Sequence, residues 1–251
     1  KKNTLIDLSA DFRLIKANDF YKWYKIKHQA KHMIKSSIYA LPEIKKKLIK
    51  KYSIISCPGC YPTSILLPLI PLISNNLINN KNIIIDSKSG YSGAGRNVHK
   101  KYKNKNLYES LSAYGLANHK HNSEIQQELD LNTGKKNTFQ FTPHLSPMFR
   151  GILSTIYIDL KKGITQSKII SLLKKVYKNH PFVNIAKPNT LLSTNNVINT
   201  NNCLISICKS KYKGKIILLS VIDNLIKGGS GQAVQNMNII YDFNEKEGLN
   251  D

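Results

Sequence analysis

The chain has 251 residues and a formal net charge of +23, with 41% hydrophobic residues, 21% charged residues and four cysteines. This length allows one large or two modest cores, and the composition is that of a globular protein. No apolar run is long enough to span a bilayer, and four cysteines in a chain of this size exclude a disulfide scaffold. The cysteine usage predicts a reducing compartment, the cytoplasm, in which thiols stay available for chemistry.

Lysine supplies almost all of the positive charge, because only three of the 38 basic residues are arginines. The lysines are scattered over nearly every segment, without the interleaved aromatic residues of a nucleic-acid-binding stripe. Lysine, asparagine and isoleucine share A/T-rich codons, so mutational bias explains the charge. We therefore expect no specific nucleic-acid or membrane partner. A noncatalytic basic protein that binds polyanions is the alternative interpretation.

The three arginines stand out in a chain that uses lysine so freely: Arg13, Arg96 and Arg150. A guanidinium group holds a carboxylate or phosphate in a bidentate fork, which an ammonium group cannot do. Each arginine is therefore a candidate anion-binding residue, although we expect at least one of them to pair structurally.

The first elements predict an α/β arrangement. Residues 4–8 predict a short strand, and Ser9 lies just after it, at the carboxyl edge where open α/β sheets bind ligands. Residues 41–51 predict a lysine-rich helix that opens with Leu-Pro-Glu, and residues 53–56 predict the next strand.

The most informative motif is Cys57-Pro-Gly-Cys60, which is followed directly by an apolar run. Proline and glycine favour a tight turn, so a helix is predicted to begin with Cys60 at its mouth. Unpaired backbone N–H groups and the helix dipole favour a thiolate there, and we interpret Cys60 as a catalytic nucleophile. A redox dithiol, half of a zinc site and an inert buried cysteine are the alternatives. Pro68 and Pro71 should bend or end the helix.

A strand predicted over residues 82–87 leads into the glycine-rich segment 89–96. Such a loop allows close backbone approach and offers a nest of N–H donors to an anion. An ordinary glycine loop would have the same composition, so the segment by itself does not define a phosphate site.

His119 and His121 precede a predicted helix. Ser123 and Gln126 have the spacing of a capping box, which places the helix start near Glu124 and both histidines in extended chain on one face. Two imidazoles on one face suit acid/base chemistry or metal binding, and two solvated loop histidines are the alternative. No third metal ligand has a useful spacing, so we predict no metal site.

The remaining chain predicts strands over residues 138–142 and 151–160, a helix over 168–178 and a strand pair over 204–208 and 215–222. A loop over residues 223–231 and a terminal helix over 232–241 follow, and residues 242–251 are expected to fray.

Taken together, the motifs resemble the N-acetyl-gamma-glutamyl-phosphate reductase family, a relative of aspartate-semialdehyde dehydrogenase and, more distantly, of glyceraldehyde-3-phosphate dehydrogenase. The matching segments run collinearly along nearly the whole chain: residues 6–13, 41–43, 58–63, 89–96, 119–125, 141–152 and 223–238.

The resemblance implies an NADPH-dependent reduction of an acyl phosphate to N-acetylglutamate 5-semialdehyde, through a thioester on Cys60. It implies His119 as the acid/base partner, with His121 as second choice, and Arg13 and Arg150 as substrate-binding residues. The residues that it implies for NADP(H) are Ser9, Ser92, Gly93, Gly95 and Asn224. A reductase of aspartyl or aminoadipyl phosphate is the related alternative.

The fold class implied by the resemblance is α/β and α+β. A truncated Rossmann-type parallel sheet in residues 1–60 would precede a glyceraldehyde-3-phosphate-dehydrogenase-like mixed-sheet domain for catalysis and dimerisation in residues 61–227. Residues 228–251 would form a helix that returns to the first sheet, in a homodimer or homotetramer.

Three features depart from the family pattern. The N-terminal glycine loop of the family is not found, so we expect this chain alone to be an inactive, aggregation-prone fragment or decayed copy. Cys57 takes the place of the usual asparagine, and Ala40 the place of a glycine. A disulfide between Cys57 and Cys60 is expected to trap the nucleophile under oxidation.

Overall fold

The computed structural model describes residues 3–93 and 109–249. Its first part is a small parallel sheet with strand order β1-β3-β2, in which Asp7, Ser56 and Tyr39 lie side by side at the carboxyl edge. The elements of this part are β1 (Leu5–Asp7), α1 (Ala17–Tyr24), β2 (Ser37–Tyr39), α2 (Pro42–Ile49) and β3 (Ile54–Ser56).

The second part is a seven-stranded mixed sheet with strand order β5-β6-β4-β7-β10-β9-β8. Antiparallel pairs dominate its centre, while β4 with β6 and β8 with β9 run parallel. A small parallel sheet followed by a larger mixed sheet confirms the predicted fold class. The strands are β4 (Ile83–Ser89), β5 (Ser112–Ala113), β6 (Phe139–Leu145), β7 (Ile152–Asp159), β8 (Val183–Ile185), β9 (Cys203–Lys209) and β10 (Lys215–Ile222).

One face of the mixed sheet is covered by three helices, α3 (Cys60–Ser74), α4 (His121–Thr133) and α5 (Gln166–Tyr177). Alternate strand residues such as Ile85 and Ile156 point into this core and are fully buried. The helix α3 lies at the centre of the core, and it is apolar on all sides because both the sheet and its neighbouring helices pack against it.

Of the two effects predicted for Pro68 and Pro71, ending the helix is ruled out, because α3 continues to Ser74, and bending it stays a prediction. A proline at position 71 removes the N–H that would bond the carbonyl of Leu67. The hydroxyl of Tyr177 on α5 donates to that carbonyl at 2.5 Å. A tertiary hydrogen bond therefore satisfies the group that the proline leaves free.

The helix α4 begins three residues earlier than the capping-box prediction placed it. The hydroxyl of Ser123 donates backwards to the carbonyl of Lys120 at 2.6 Å instead of capping the helix start. His121 is consequently the first residue of the helix, whereas His119 lies in the turn before it.

The chain then returns to the first sheet. A π-helical turn (Ile226–Ser230) leads into α6 (Gly231–Ile240), and Ile239 packs with Ile38 and Ile55 in the apolar cluster of the small sheet. The predicted fraying of the tail is wrong for its described residues, since the amide of Asn238 donates to the carbonyls of Glu245 and Glu247. Within the described ranges, no helix is long and apolar enough to cross a membrane.

Candidate active site

Cys60 opens α3 at the carboxyl edge of the small sheet, where the sequence placed it. The backbone N–H of Cys57 donates to the carbonyl of Asp7 at 2.8 Å, which fixes the turn next to the end of β1. Gly59 precedes the helix in extended conformation, with φ −66° and ψ 158°. Residues Cys57 to Gly59 therefore carry the chain from β3 to the helix mouth as a short extended link.

Two glycines allow close packing on both sides of Cys60. A Cβ built on Gly228 would lie 2.6 Å from the Cβ of Cys60, and a Cβ built on Gly59 would lie 2.4 Å from Nε2 of His121. Both distances are far below van der Waals contact, so a larger residue at either position would force its neighbour to move. The thiol-bearing residue is thus packed against the π-helical turn, and the turn that carries it is packed against the His121 ring.

The Cys60 thiol is protonated in the resting site. Burial raises its pKa to about 11, and the backbone N–H of Tyr61 and the charge of Arg13 only partly oppose this effect. The helix mouth stabilises the anion, as the sequence predicts, but removal from water has the larger effect on the pKa. A nucleophilic Cys60 requires a base or a change of environment when substrate arrives.

His121 contacts the segment that carries Cys60. Its ring lies against Gly59, its Nδ1 is buried without a hydrogen-bond partner among the described residues, and burial followed by the charge of Arg13 lowers its pKa to about 3. The imidazole is therefore neutral and able to accept a proton. His119 accepts the backbone N–H of His121 on its Nδ1 at 3.2 Å and packs edge-on against Tyr61.

Glu124 joins these groups, and sequence reasoning assigned it no role. This fully buried carboxylate accepts the backbone N–H of Gly59 at 2.9 Å and the hydroxyl of Tyr39 at 3.0 Å on Oε2. Its Oε1 bonds Arg13 at 3.0 Å and lies 3.8 Å from Nε2 of His121. The three-residue spacing of His121 and Glu124 was the available signal, since residues i and i+3 share one side of a helix.

Arg13 faces the protein rather than an open site. Its guanidinium donates to the carbonyl of Cys57 at 2.9 Å, to Glu124 at 3.0 Å and to the carbonyl of Leu8 at 3.1 Å. These contacts hold the Cys60 turn on the edge of β1. The geometry favours a structural role for Arg13, and the substrate-binding role stays a prediction.

Arg150 lies at the end of the site formed by the loop after β10. Its guanidinium pairs with the buried Asp223 at 3.3 Å and donates to Asn199, while about a quarter of its side chain stays exposed. The next residue, Gly151, donates its N–H to Oδ1 of Asn224 at 2.6 Å. The contacts of Arg150 with Asp223 and Asn199 are both made through its Nη1 atom.

The structure brings three of the predicted cofactor-binding residues together. The amide of Asn224 donates to the hydroxyl of Ser92 at 3.0 Å, and a Cβ built on Gly93 would lie 3.5 Å from that amide nitrogen. Ser9 lies apart from them, in the turn after β1, where its N–H donates to Asp7 and its hydroxyl to Asp11. Gly95 and Arg96 lie outside the described residues.

Cys57 is buried and does not share the environment of Cys60. Its Sγ lies 3.8 Å from the amide nitrogen of Asn236 on α6, and burial raises the pKa of its thiol to about 11. Both cysteines are free thiols. The disulfide between Cys57 and Cys60 that we expect under oxidation stays a prediction.

A cavity of about 590 Å³ lies between α1 and α4, with Trp23, Asp130 and Phe141 in its wall. Cys60 is not among its described lining residues. This cavity is therefore distinct from the surroundings of the candidate nucleophile.

Fold and sequence comparisons define the class of this protein. Residues 60–224 match the family model of the semialdehyde dehydrogenase dimerisation domain. The fold is similar to aspartate semialdehyde dehydrogenase II from Vibrio cholerae, with a TM-score of 0.65 at 15% identity over 83% of this chain and 69% of that chain. It is also similar to aspartate semialdehyde dehydrogenase from Francisella tularensis, with a TM-score of 0.64 at 15% identity over 82% and 71%. These likenesses concern the fold alone.

Relatives with much higher identity narrow the class to one family. The chain is 43% identical to N-acetyl-gamma-glutamyl-phosphate reductase from Desulforamulus reducens, over 99% of this chain and 72% of that protein. It is 47% identical to the protein of the same name from Pelobacter propionicus, over 98% and 71%. It is 44% identical to a probable chloroplastic form from Arabidopsis thaliana, over 98% and 61%. The chain belongs to the N-acetyl-gamma-glutamyl-phosphate reductase family.

Proposed function

We propose that this chain carries the catalytic machinery for reducing N-acetyl-gamma-glutamyl phosphate to N-acetylglutamate 5-semialdehyde, with release of phosphate, in arginine biosynthesis. The observation that carries the proposal is the grouping of Cys60, His121 and Glu124 at one helix mouth. Four free cysteines suit a reducing compartment, and we propose the cytoplasm.

Cys60 is the proposed nucleophile. Its sulfur attacks the acyl carbon, a C–S bond forms, and the C–O bond to phosphate breaks so that phosphate leaves with the electron pair. The proton of the thiol must depart as the sulfur attacks, because burial keeps the resting group neutral. The product of this step is a thioester between Cys60 and the N-acetylglutamyl group.

We assign the proton acceptor to His121 rather than to His119, the first choice from sequence. The ring of His121 lies against Gly59, next to Cys60, and its Nδ1 is buried without a hydrogen-bond partner among the described residues. Because burial lowers its pKa to about 3, the imidazole takes up the thiol proton only when bound substrate stabilises the imidazolium. His119, in our proposal, supports the backbone of His121 through its Nδ1. When the aldehyde forms, the C–S bond breaks and the electron pair of that bond stays with the sulfur of Cys60. The imidazolium of His121 then returns the proton to this sulfur.

NADP(H) is the proposed cofactor, and when bound it would supply the hydride that reduces the thioester carbonyl. The small sheet fits such a ligand, because Asp7 Oδ2 and Ser56 Oγ are buried at its carboxyl edge without hydrogen-bond partners in the described part of the chain. We propose that Ser9 at this edge, with the group of Ser92, Gly93 and Asn224, holds the cofactor, and that Gly95 belongs to the same site.

Arg150 is the proposed anion-binding residue for the substrate. Asp223 and Asn199 fix part of its guanidinium, and the exposed part offers a fork that matches a carboxylate or a phosphate. For Arg13 to bind substrate as predicted, the substrate must displace one of the three protein groups that the Arg13 guanidinium contacts.

A dimer is the proposed assembly. The face of the mixed sheet opposite the helices carries a row formed by Ile84, Tyr157 and Ile217, which are neighbours in register across β4, β7 and β10. Ile84 is 49% exposed and Tyr157 is 44% exposed. An exposed apolar row on a sheet suits an interface between two copies. We propose residues 61–227 as the unit for catalysis and dimerisation, residues 1–60 as the cofactor side, and residues 228–251 as the connection between them.

The experiment is turnover of the natural gene product with N-acetyl-gamma-glutamyl phosphate and NADPH, beside Cys60→Ser and the control Cys203→Ser. We expect Cys60→Ser to lose at least about a thousandfold in kcat, since the covalent route is removed. Cys203 is buried in the mixed sheet, and its variant should keep kcat within threefold. Equal turnover of Cys60→Ser and wild type would overturn the mechanism. Preference for aspartyl or aminoadipyl phosphate would overturn the substrate assignment alone.

A further inference from the structure

Lys227 is a completely buried charged side chain at the border of the Cys60 site. It lies in the π-helical turn (Ile226–Ser230), and its exposed fraction is 0%. An ammonium ion removed from water is strongly unfavourable unless other groups pair with it and accept its protons. The groups that pair with Lys227 therefore indicate which parts of the molecule this buried charge connects.

Those partners come from two other helices. The Nζ atom donates to Oε1 of Glu43 at 2.5 Å and to Oε1 of Gln235 at 2.8 Å, and it lies 5.7 Å from the centre of the Phe182 ring. Glu43 belongs to the first turn of α2, and Gln235 belongs to α6. Lys227 and these two partners thus connect α2 of the first part with α6 and with the π-helical turn next to Cys60.

Shared hydrogen bonds leave the side chains around Lys227 few alternative arrangements. The amide of Gln235 also donates to Oε1 of Glu43 at 3.0 Å, and the amide of Asn201 donates to Oε1 of Gln235 at 3.1 Å. Burial by itself would raise the pKa of Glu43, but the charge of Lys227 together with the hydrogen bonds from Lys227 and Gln235 outweighs it and lowers that pKa. Glu43 and Lys227 are therefore a charged pair whose partners are fixed by several shared hydrogen bonds.

Gly228, the residue after Lys227, packs directly against Cys60, and we call this contact surface the Gly228 wall. Gly228 faces Cys60 so closely that a Cβ there would lie 2.6 Å from the Cβ of Cys60 and 3.1 Å from its Cα. The N–H of Gly228 donates to the carbonyl of Asp223 at 2.9 Å. The Lys227 side chain and this hydrogen bond thus hold the backbone of the Gly228 wall in place at two points.

We propose that the ion pair of Lys227 with Glu43 positions Cys60 by fixing the Gly228 wall against it. Lys227 is in this view a positioning residue, because it acts on the thiol through the adjoining glycine. The consequence for turnover rests on the proposed function, whereas the consequence for thiol reactivity does not.

The test measures alkylation of Cys60 by iodoacetamide, read by peptide mass, in Lys227→Met/Glu43→Gln and wild type. Cys60→Ser provides the unlabelled blank. We expect alkylation at least fivefold faster in the double variant, because a loosened wall frees the thiol. With the full-length protein, kcat should fall at least tenfold while KM stays within threefold.

The control is Asn137→Ala, which removes a buried side chain that bonds Asp130 and Thr133 at the far end of α4. That end is about 20 Å from His121 along the helix, so the variant should lose stability yet keep Cys60 alkylation within twofold. This control distinguishes an effect of lower stability on the alkylation rate from an effect of the lost ion pair on the position of Cys60.

Alkylation of the folded double variant within twofold of wild type would overturn the proposal. If that variant does not fold, Lys227→Arg decides, since it keeps the charge but overfills the site, and it should give the same fivefold change. A shifted alkylation rate in a protein without reductase turnover would overturn the proposed function and leave the positioning role standing.

Discussion

At the scale of single residues, Cys60 and the ring of His121 both lie at the mouth of α3, and burial shifts the pKa of each group toward its neutral form. Burial disfavours the charged form of each group, so it raises the pKa of Cys60 to about 11 and lowers that of His121 to about 3. Proton transfer between them is unfavourable at rest. A bound substrate with phosphate and carboxylate groups would help to stabilise the imidazolium that the transfer creates.

The lowered pKa of His121 predicts a specific dependence of stability on pH. The unfolded chain protonates this histidine below about pH 6.5, whereas the native site keeps it neutral down to about pH 3. Stability is therefore lost as pH falls through this range, by about 1.4 kcal/mol for each pH unit.

Urea unfolding at pH 7 and pH 5 measures this loss. Wild type should lose about 2 kcal/mol more between these pH values than His121→Asn does. His32→Asn, which removes an exposed histidine, should behave as wild type. An equal loss in wild type and His121→Asn would contradict the assigned burial of this imidazole.

Glu124 predicts a second effect at this scale. Glu124→Gln keeps an acceptor for the N–H of Gly59 but leaves the buried guanidinium of Arg13 without its anion, which should cost about 3–5 kcal/mol. We expect kcat to fall at least tenfold, because both the Cys60 turn and His121 lose their support.

The matched control is Glu128→Gln, one helical turn further along α4, where the carboxylate is 2% exposed and pairs with Lys45 at 3.4 Å. This variant should keep kcat within threefold while its thermal midpoint falls. Similar losses of kcat in both variants would show that general loss of stability, and not positioning, explains the effect of Glu124.

At the scale of elements, α3 shows how tertiary contacts sustain a helix that contains Pro68 and Pro71. The carbonyl of Leu67 has no intrahelical N–H at position 71, and the hydroxyl of Tyr177 takes its place. The two elements are therefore energetically coupled through one buried hydrogen bond.

A double-mutant cycle measures this coupling. Tyr177→Phe should destabilise the protein by about 1–3 kcal/mol, the cost of an unsatisfied buried carbonyl. In the Pro71→Ala background the restored N–H can bond Leu67, so the same change should cost at least about 1 kcal/mol less. Equal costs in both backgrounds would show that the hydroxyl does not substitute for the missing donor.

At the scale of the whole molecule, the face of the mixed sheet opposite the helices carries the half-exposed Ile84 and Tyr157, and we expect this part of the face to form the dimer interface. Tyr157→Arg places a charge in the proposed apolar row and should convert the dimer to a monomer, as measured by sedimentation equilibrium. Leu131→Arg is the control, since Leu131 is 52% exposed on α4, on the opposite side of the sheet. A dimer that survives Tyr157→Arg would place the interface elsewhere.

The sequence by itself determined the features that depend on neighbouring residues. The start of α3 at Cys60, the start of α2 at Pro42 and the bounds of β10 (Lys215–Ile222) follow from local backbone preferences and alternating apolar residues. The tight turn predicted at Pro58 and Gly59 is wrong, because the chain is extended there. The motifs also sufficed to indicate the family, because they keep their order along the chain.

Only the tertiary structure shows the burial around Cys60 and His121 and the partners of Arg13 and Glu124. These properties depend on residues far apart in sequence, such as Arg13 and Glu124, which meet only when α4 packs beside the small sheet. Desolvation and the pairing of buried charges arise from that packing, and no local pattern specifies them.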